Sequence, residues 1–125
     1  MTWPLWSILV AGLLPYAGTA IAKWGFIRFD NHHPREWLAQ QTGFRARGNA
    51  AQANSFESFP FYAAAVLVAT VQQAPLAIVS LCCTVYILAR ISYIICYAAN
   101  WAGARSLSWL VGIMSIVGLF IAASR

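Results

Sequence analysis

Residues 76–99 read LAIVSLCCTVYILARISYIICYAA and carry a single charge, Arg90. A helix needs about 20 mostly apolar residues to cross the roughly 30 Å hydrocarbon core of a bilayer, and this run meets that requirement with little to spare. Working outward, the short connection 100–104 leads into a second apolar run, 105–123. On the other side, Gln72, Gln73, Ala74 and Pro75 form an uncharged turn that separates the run from residues 45–71. A further apolar segment, 3–22, has Trp3 and Trp6 at one end and Lys23 and Trp24 at the other, as interfacial anchors would be arranged. The expected fold is an all-α membrane protein of one domain, residues 1–125. It is an up-and-down bundle of four transmembrane helices at about 3–22, 45–71, 76–99 and 105–123.

Composition agrees with that reading. Of the 125 residues 61% are hydrophobic and 9% charged, whereas a soluble domain carries about a quarter charged residues. The formal charge of +5 does not point to nucleic acid, because Lys23, Arg28, Arg35, Arg45 and Arg47 all fall in one connection between apolar segments. That is the pattern of the positive-inside bias, so the connection is expected in the cytoplasm and both termini outside. A bacterial inner membrane, or an equivalent internal membrane, fits this topology. The start Met-Thr-Trp-Pro-Leu-Trp lacks the basic region of a cleaved signal, so the first span is expected to persist.

Within the spans, Pro15 is expected to kink the first helix and Pro60 to interrupt the second. The stretch 25–44 reads as one long loop. Its adjacent His32 and His33 point apart on any regular backbone and have no third ligand at standard spacing, so no metal site is expected. Cys82, Cys83 and Cys96 lie in apolar runs and read as packing residues. Small residues at 63–65, and Gly112, Ser115 and Gly118, would let helices approach closely.

Polar residues inside membrane spans are costly and are functional candidates by default. Here they fall into stripes. Arg47, Asn54 and Glu57 share one face of the second helix, and Tyr86, Arg90, Tyr93 and Tyr97, spaced four, three and four apart, share one face of the third. Arg105 and Ser106 open the fourth, with Trp109 one turn on. A plain structural account pairs Glu57 with Arg90 and leaves the tyrosines as glue between helices. It leaves Arg47 and Arg105 as surplus positive charge, suited to an anionic ligand or a thiolate.

The run 47–61, RGNAAQANSFESFPF, resembles the second-helix signature of the membrane-associated proteins in eicosanoid and glutathione metabolism, the MAPEG family. Residues 89–109, ARISYIICYAANWAGARSLSW, are similar to that family's third helix, turn and start of the fourth. The resemblance implies a homotrimer that binds glutathione as cosubstrate between neighbouring subunits. It implies a cofactor-binding set of Arg47, Asn54, Glu57, Arg90, Tyr93 and Tyr97, with Asn54 and Glu57 on the tripeptide's polar ends and the tyrosines lining the pocket. Arg105 would stabilise the thiolate, and Ser106 matches the Arg-Ser pair of the prostaglandin synthase branch. The sequence departs from the family at Ala50 and Ala53, where arginines stand in several members, and at Trp109, which replaces a Tyr. The implied activity is that of a glutathione-dependent transferase or peroxidase acting on a lipophilic small molecule from the membrane lipid. The alternatives are a non-catalytic lipid-binding member and a small multidrug exporter using Glu57.

Overall fold

The computed structural model describes all of residues 1–125. The first apolar segment forms two helices in succession, α1 (Trp3–Leu13) and α2 (Pro15–Ala22). Pro4 sits in the first turn of α1, where its missing N–H leaves no bond unmade. Pro15 interrupts the helical hydrogen bonding, yet Leu14 keeps helical angles (φ −57°, ψ −37°) and the N–H of Ala17 shifts to the Leu14 carbonyl at 3.0 Å. The chain therefore stays helical through the junction. It then ends in a tight 3₁₀ turn, Trp24–Phe26.

The stretch read as one loop contains a short helix, α3 (Pro34–Ala39), started by Pro34 and held by the buried Trp37, whose ring meets Phe29 edge-on at 5.2 Å. Six residues with one buried aromatic carry too little periodicity to be seen in the sequence. α4 (Gly43–Val71) has 29 residues, about 43 Å at the usual helical rise. Pro60 lies inside it without interrupting it, contrary to expectation. Pro60 is exposed, and within α4 its missing N–H leaves the Phe56 carbonyl without its helical donor.

α5 (Leu76–Ala98) and α6 (Ala102–Ala123) follow after two turns of the same construction. At the first, the N–H of Gln73 bonds the Thr70 carbonyl and that of Ala74 bonds Ala69, with Gln73 left-handed at φ 54°. At the second, Asn100 bonds Tyr97 and Trp101 bonds Cys96, with Asn100 at φ 61°. Both are Schellman motifs, which satisfy the last carbonyls of one helix and reverse the chain within a few residues. Three stretches are long and apolar enough to cross a membrane: Trp3–Phe26, Leu76–Ala98 and Ala102–Ala123, with mean hydropathies of 1.6, 2.0 and 2.1. α4 is long enough, but Arg45, Arg47, Asn49, Gln52, Asn54 and Glu57 make its first half polar.

The core gathers on α4, α5 and α6, around Tyr62, Val66, Tyr86, Ile116 and Leu119. The rings of Tyr62 and Tyr86 stack at 3.7 Å and 4° from parallel. Their hydroxyls are both satisfied. Ser7 donates to the Pro4 carbonyl, so Tyr62 donates to the Ser7 Oγ, and Tyr86 shares a hydrogen bond of 2.8 Å with Ser58. Buried hydroxyls so paired escape the penalty that unpaired ones would carry.

Between α2 and α4 the backbones themselves touch. A Cβ on Gly18 would stand 2.8 Å from the Gly48 carbonyl oxygen and the Gln52 amide nitrogen, and one on Gly48 would stand 2.8 Å from the Ala22 nitrogen. Small residues are what permit such contact in a membrane, where packing rather than water drives helix association. Neither Gly18→Ala nor Gly48→Ala can be absorbed by a side-chain movement. Each is expected to lower stability by roughly 1 to 3 kcal/mol, as overpacking does. Thermal unfolding in detergent measures this, and Gly103→Ala, at a position with open space around it, is the matched control.

Candidate functional site

Arg90 is 2% exposed, although it belongs to an apolar helix. Its Nη2 donates to Asn54 Oδ1 at 2.9 Å and to Ser55 Oγ at 3.1 Å, and its guanidinium lies over the Tyr93 ring at 4.2 Å from the centroid. The expected partner was Glu57, and that pairing is not made. Glu57 is exposed, and the chain's one ion contact is between His33 and Glu36 at 3.8 Å. The reason is rotational. At about 100° per residue, Arg90 meets α4 between Asn54 and Ser55, roughly 110° round the axis from Glu57. Arg90 is therefore held by neutral oxygens and an aromatic face.

From Arg90 a ladder of cations and rings runs to the start of α6. Tyr93 meets Tyr97 edge-on, centroids 5.6 Å apart and planes at 77°. The guanidinium of Arg105 lies over the other part of the ladder, 4.4 Å from the Tyr97 centroid. Arg105 is half-buried, and none of its guanidinium N–H groups is hydrogen-bonded or ion-paired within the chain. Ser106 is exposed beside it, and Trp109 is 43% exposed. Arg47, from α4, donates its Nε to the Ala98 carbonyl at 3.3 Å. It thus caps the C-terminus of α5, where a positive charge is favourable, at the residue next to Tyr97.

The structure brings Arg47, Asn54, Arg90, Tyr93, Tyr97 and Arg105 to one end of the bundle, where α4, α5 and α6 meet, and leaves Glu57 and Ser106 facing outward. Ala53 is exposed and Ala50 half-buried. Sequence reasoning missed Ser55, which spacing from Asn54 alone does not single out. It also missed Arg45, whose Nη1 and Nη2 donate to the Ala22 and Trp24 carbonyls at 3.1 and 2.6 Å and tie the end of α2 to α4. The chain's main clefts lie elsewhere, along α1 and α2 and between α5 and α6.

Chemically, the arrangement offers a fixed guanidinium with unused donors, flanked by two tyrosine rings, on a surface rich in cations. The family model for MAPEG matches residues 3–125, essentially the whole chain. The chain belongs to the MAPEG family. None of the curated proteins matches it in sequence. As a MAPEG protein with three apolar stretches of spanning length, it is an integral membrane protein. Both runs that carried the resemblance lie within the MAPEG match, and so do all the residues of the ladder.

Proposed function

We propose that this MAPEG protein is a membrane glutathione-dependent transferase or peroxidase acting on lipophilic electrophiles, with Arg105 as the group that stabilises the glutathione thiolate. The observation that carries the reading is Arg105 itself. Its guanidinium is oriented by the Tyr97 ring and spends none of its donors on the protein. A thiol is mostly protonated at neutral pH, and a permanent cation close to sulfur favours the nucleophilic anion without giving up its own charge.

The same proposal includes a four-span protomer in a homotrimer, with α4 as the fourth crossing and the glutathione site completed by a neighbouring copy. Two features support it. Glu57 would be an exposed carboxylate on a membrane helix, which is costly unless a partner covers it. None of the main clefts of the single chain is lined by Tyr93, Tyr97 or Arg105, as expected of half a site. The proposal also sets the connection 23–47 in the cytoplasm and both termini outside, in a bacterial inner membrane or its equivalent, and the five cations of that connection support it.

A second reading, a non-catalytic member that binds lipid, is favoured by one observation. Asn54 Oδ1 already accepts from Arg90, and Ala50 and Ala53 offer no cation for the carboxylates of glutathione. Calorimetry of glutathione binding to the purified protein, followed by ultraviolet absorbance of the thiolate in the saturated complex, separates the two. Heat of binding together with a thiolate band is the expected outcome. Absence of both, with no turnover of an aromatic electrophile, would leave the lipid-binding reading.

A further inference from the structure

We propose that the hydroxyl pair Ser92–Ser108, between α5 and α6, is the positioning element that holds Arg105 over the Tyr97 ring and so sets how much of a bound thiol is kept as thiolate. Its consequence for the thiol rests on the glutathione reading of the site; the placement of Arg105 does not.

The start of α6 is held by very little. Its N-cap, Trp101, makes no side-chain capping bond, and Ala102, Gly103 and Ala104 are all exposed. A Cβ on Gly103 would meet nothing within 4 Å. Helix ends of this kind fray. Arg105 is the fourth residue of α6, and its guanidinium has the Tyr97 ring for support and no hydrogen bond. The first buried residue of α6 is Ser108, about one turn further on.

Ser108 is tied to α5. Its Oγ lies 2.9 Å from Ser92 Oγ, and Ser92 Oγ is in turn 3.8 Å from Cys96 Sγ, the residue before Tyr97. Beyond the pair, α6 packs through small residues. A Cβ on Gly112 would stand 3.7 Å from Arg90 Cδ and 4.0 Å from Ala89 Cβ. Van der Waals contacts of that sort set a distance between helices, whereas a hydrogen bond, which weakens steeply off its axis, also sets rotation. Rotation is what Arg105 is sensitive to. Side-chain ends lie roughly 5 to 6 Å from a helix axis, so a turn of about 10° moves one by about 1 Å. A displacement of that size can cost about 10²-fold in rate. Ser115, two turns further along, bonds its own helix through the Val111 carbonyl at 2.9 Å and has no such role.

The placement can be followed without glutathione. In NMR spectra of the full-length protein in detergent, the Arg105 Nε–H, assigned by its loss in Arg105→Lys, is expected to be shifted upfield by the Tyr97 ring. Ser92→Ala and Ser108→Ala should each abolish most of that shift. The double variant should go no further, because either change removes the same bond, and Ser115→Ala should leave the shift in place. In glutathione-saturated protein the two serine variants should form the thiolate band only at higher pH, with kcat lowered roughly 10- to 100-fold and glutathione affinity kept within about twofold. Absence of the shift in the wild type, its persistence in both serine variants, or its equal loss in Ser115→Ala would overturn the proposal. A thiolate band unmoved while the shift is lost would overturn the consequence for the thiol. Loss of the shift in both variants of a protein that shows no heat of glutathione binding would uphold the placement and end the glutathione reading instead.

Discussion

Arg105→Ala is expected to reduce glutathione-dependent turnover of a lipophilic electrophile by ~10²-fold or more, with a much smaller effect on glutathione affinity. A group that acts mainly on charge developed or activated at sulfur contributes more to the transition state than to the bound ground state, so kcat should fall further than the binding constant. The surroundings of Arg105 sharpen this. Its guanidinium lies 4.4 Å from the Tyr97 centroid, and no carboxylate in the chain competes for it. Arg105→Lys should recover only part of the rate, because an ammonium on a flexible stem neither stacks on a ring as a plane does nor presents a fork of donors.

The plainer account makes Arg105 an interfacial anchor at the start of α6, as arginines at span ends commonly are. The ring beneath it distinguishes the two. Tyr97→Phe keeps the aromatic face and should keep most of the rate, whereas Tyr97→Leu removes it and should lower the rate toward that of Arg105→Lys. An anchor would be insensitive to both changes. Steady-state kinetics on the four variants, with the thiolate absorbance of each glutathione complex, decides between them. A silent Arg105→Lys with no thiolate band in the wild type would end the catalytic assignment.

How much of this could be read from the sequence varies with the kind of signal. The runs 76–99 and 105–123 were legible because a bilayer demands a long apolar stretch, and α5 and α6 differ from them by only a few terminal residues. The interruption at Pro15 follows from the missing donor, but the same rule misreads Pro60, which also lacks the donor and yet leaves α4 continuous. The contact of Gly18 with Gly48 was illegible. Glycine in a sequence does not say which other backbone it lets in. At the site, spacing put Tyr86, Arg90 and Tyr93 on one buried face of α5, but the partner of Arg90 depended on how α4 is rotated about its axis. Charge suggested Glu57, and rotation gave Asn54 and Ser55. Pairing by charge fails where neutral oxygens are better aimed.

That correction changes what removal of Arg90 should do. Arg90→Met keeps much of the volume and leaves Asn54 Oδ1 and Ser55 Oγ without their donor, in a place that water does not reach easily. Each such oxygen typically costs about 1 to 3 kcal/mol, so the variant should lose on the order of 2 to 4 kcal/mol of stability. The opposing consideration is that a buried guanidinium with no carboxylate is itself expensive, and replacing buried charges by apolar groups sometimes stabilises. A double-mutant cycle resolves the balance. If the two hydrogen bonds outweigh desolvation, Asn54→Ala and Arg90→Met should each destabilise, and the double variant should lose clearly less than their sum. A more stable Arg90→Met would mean that Arg90 is kept at a cost for the site. In that case Tyr93, 4.2 Å beneath the guanidinium, and through it Tyr97 and Arg105, would be what the arginine is there to hold. Glu57→Gln, by contrast, should leave the unfolding of the isolated protomer unchanged, since the carboxylate touches no cation of its own chain.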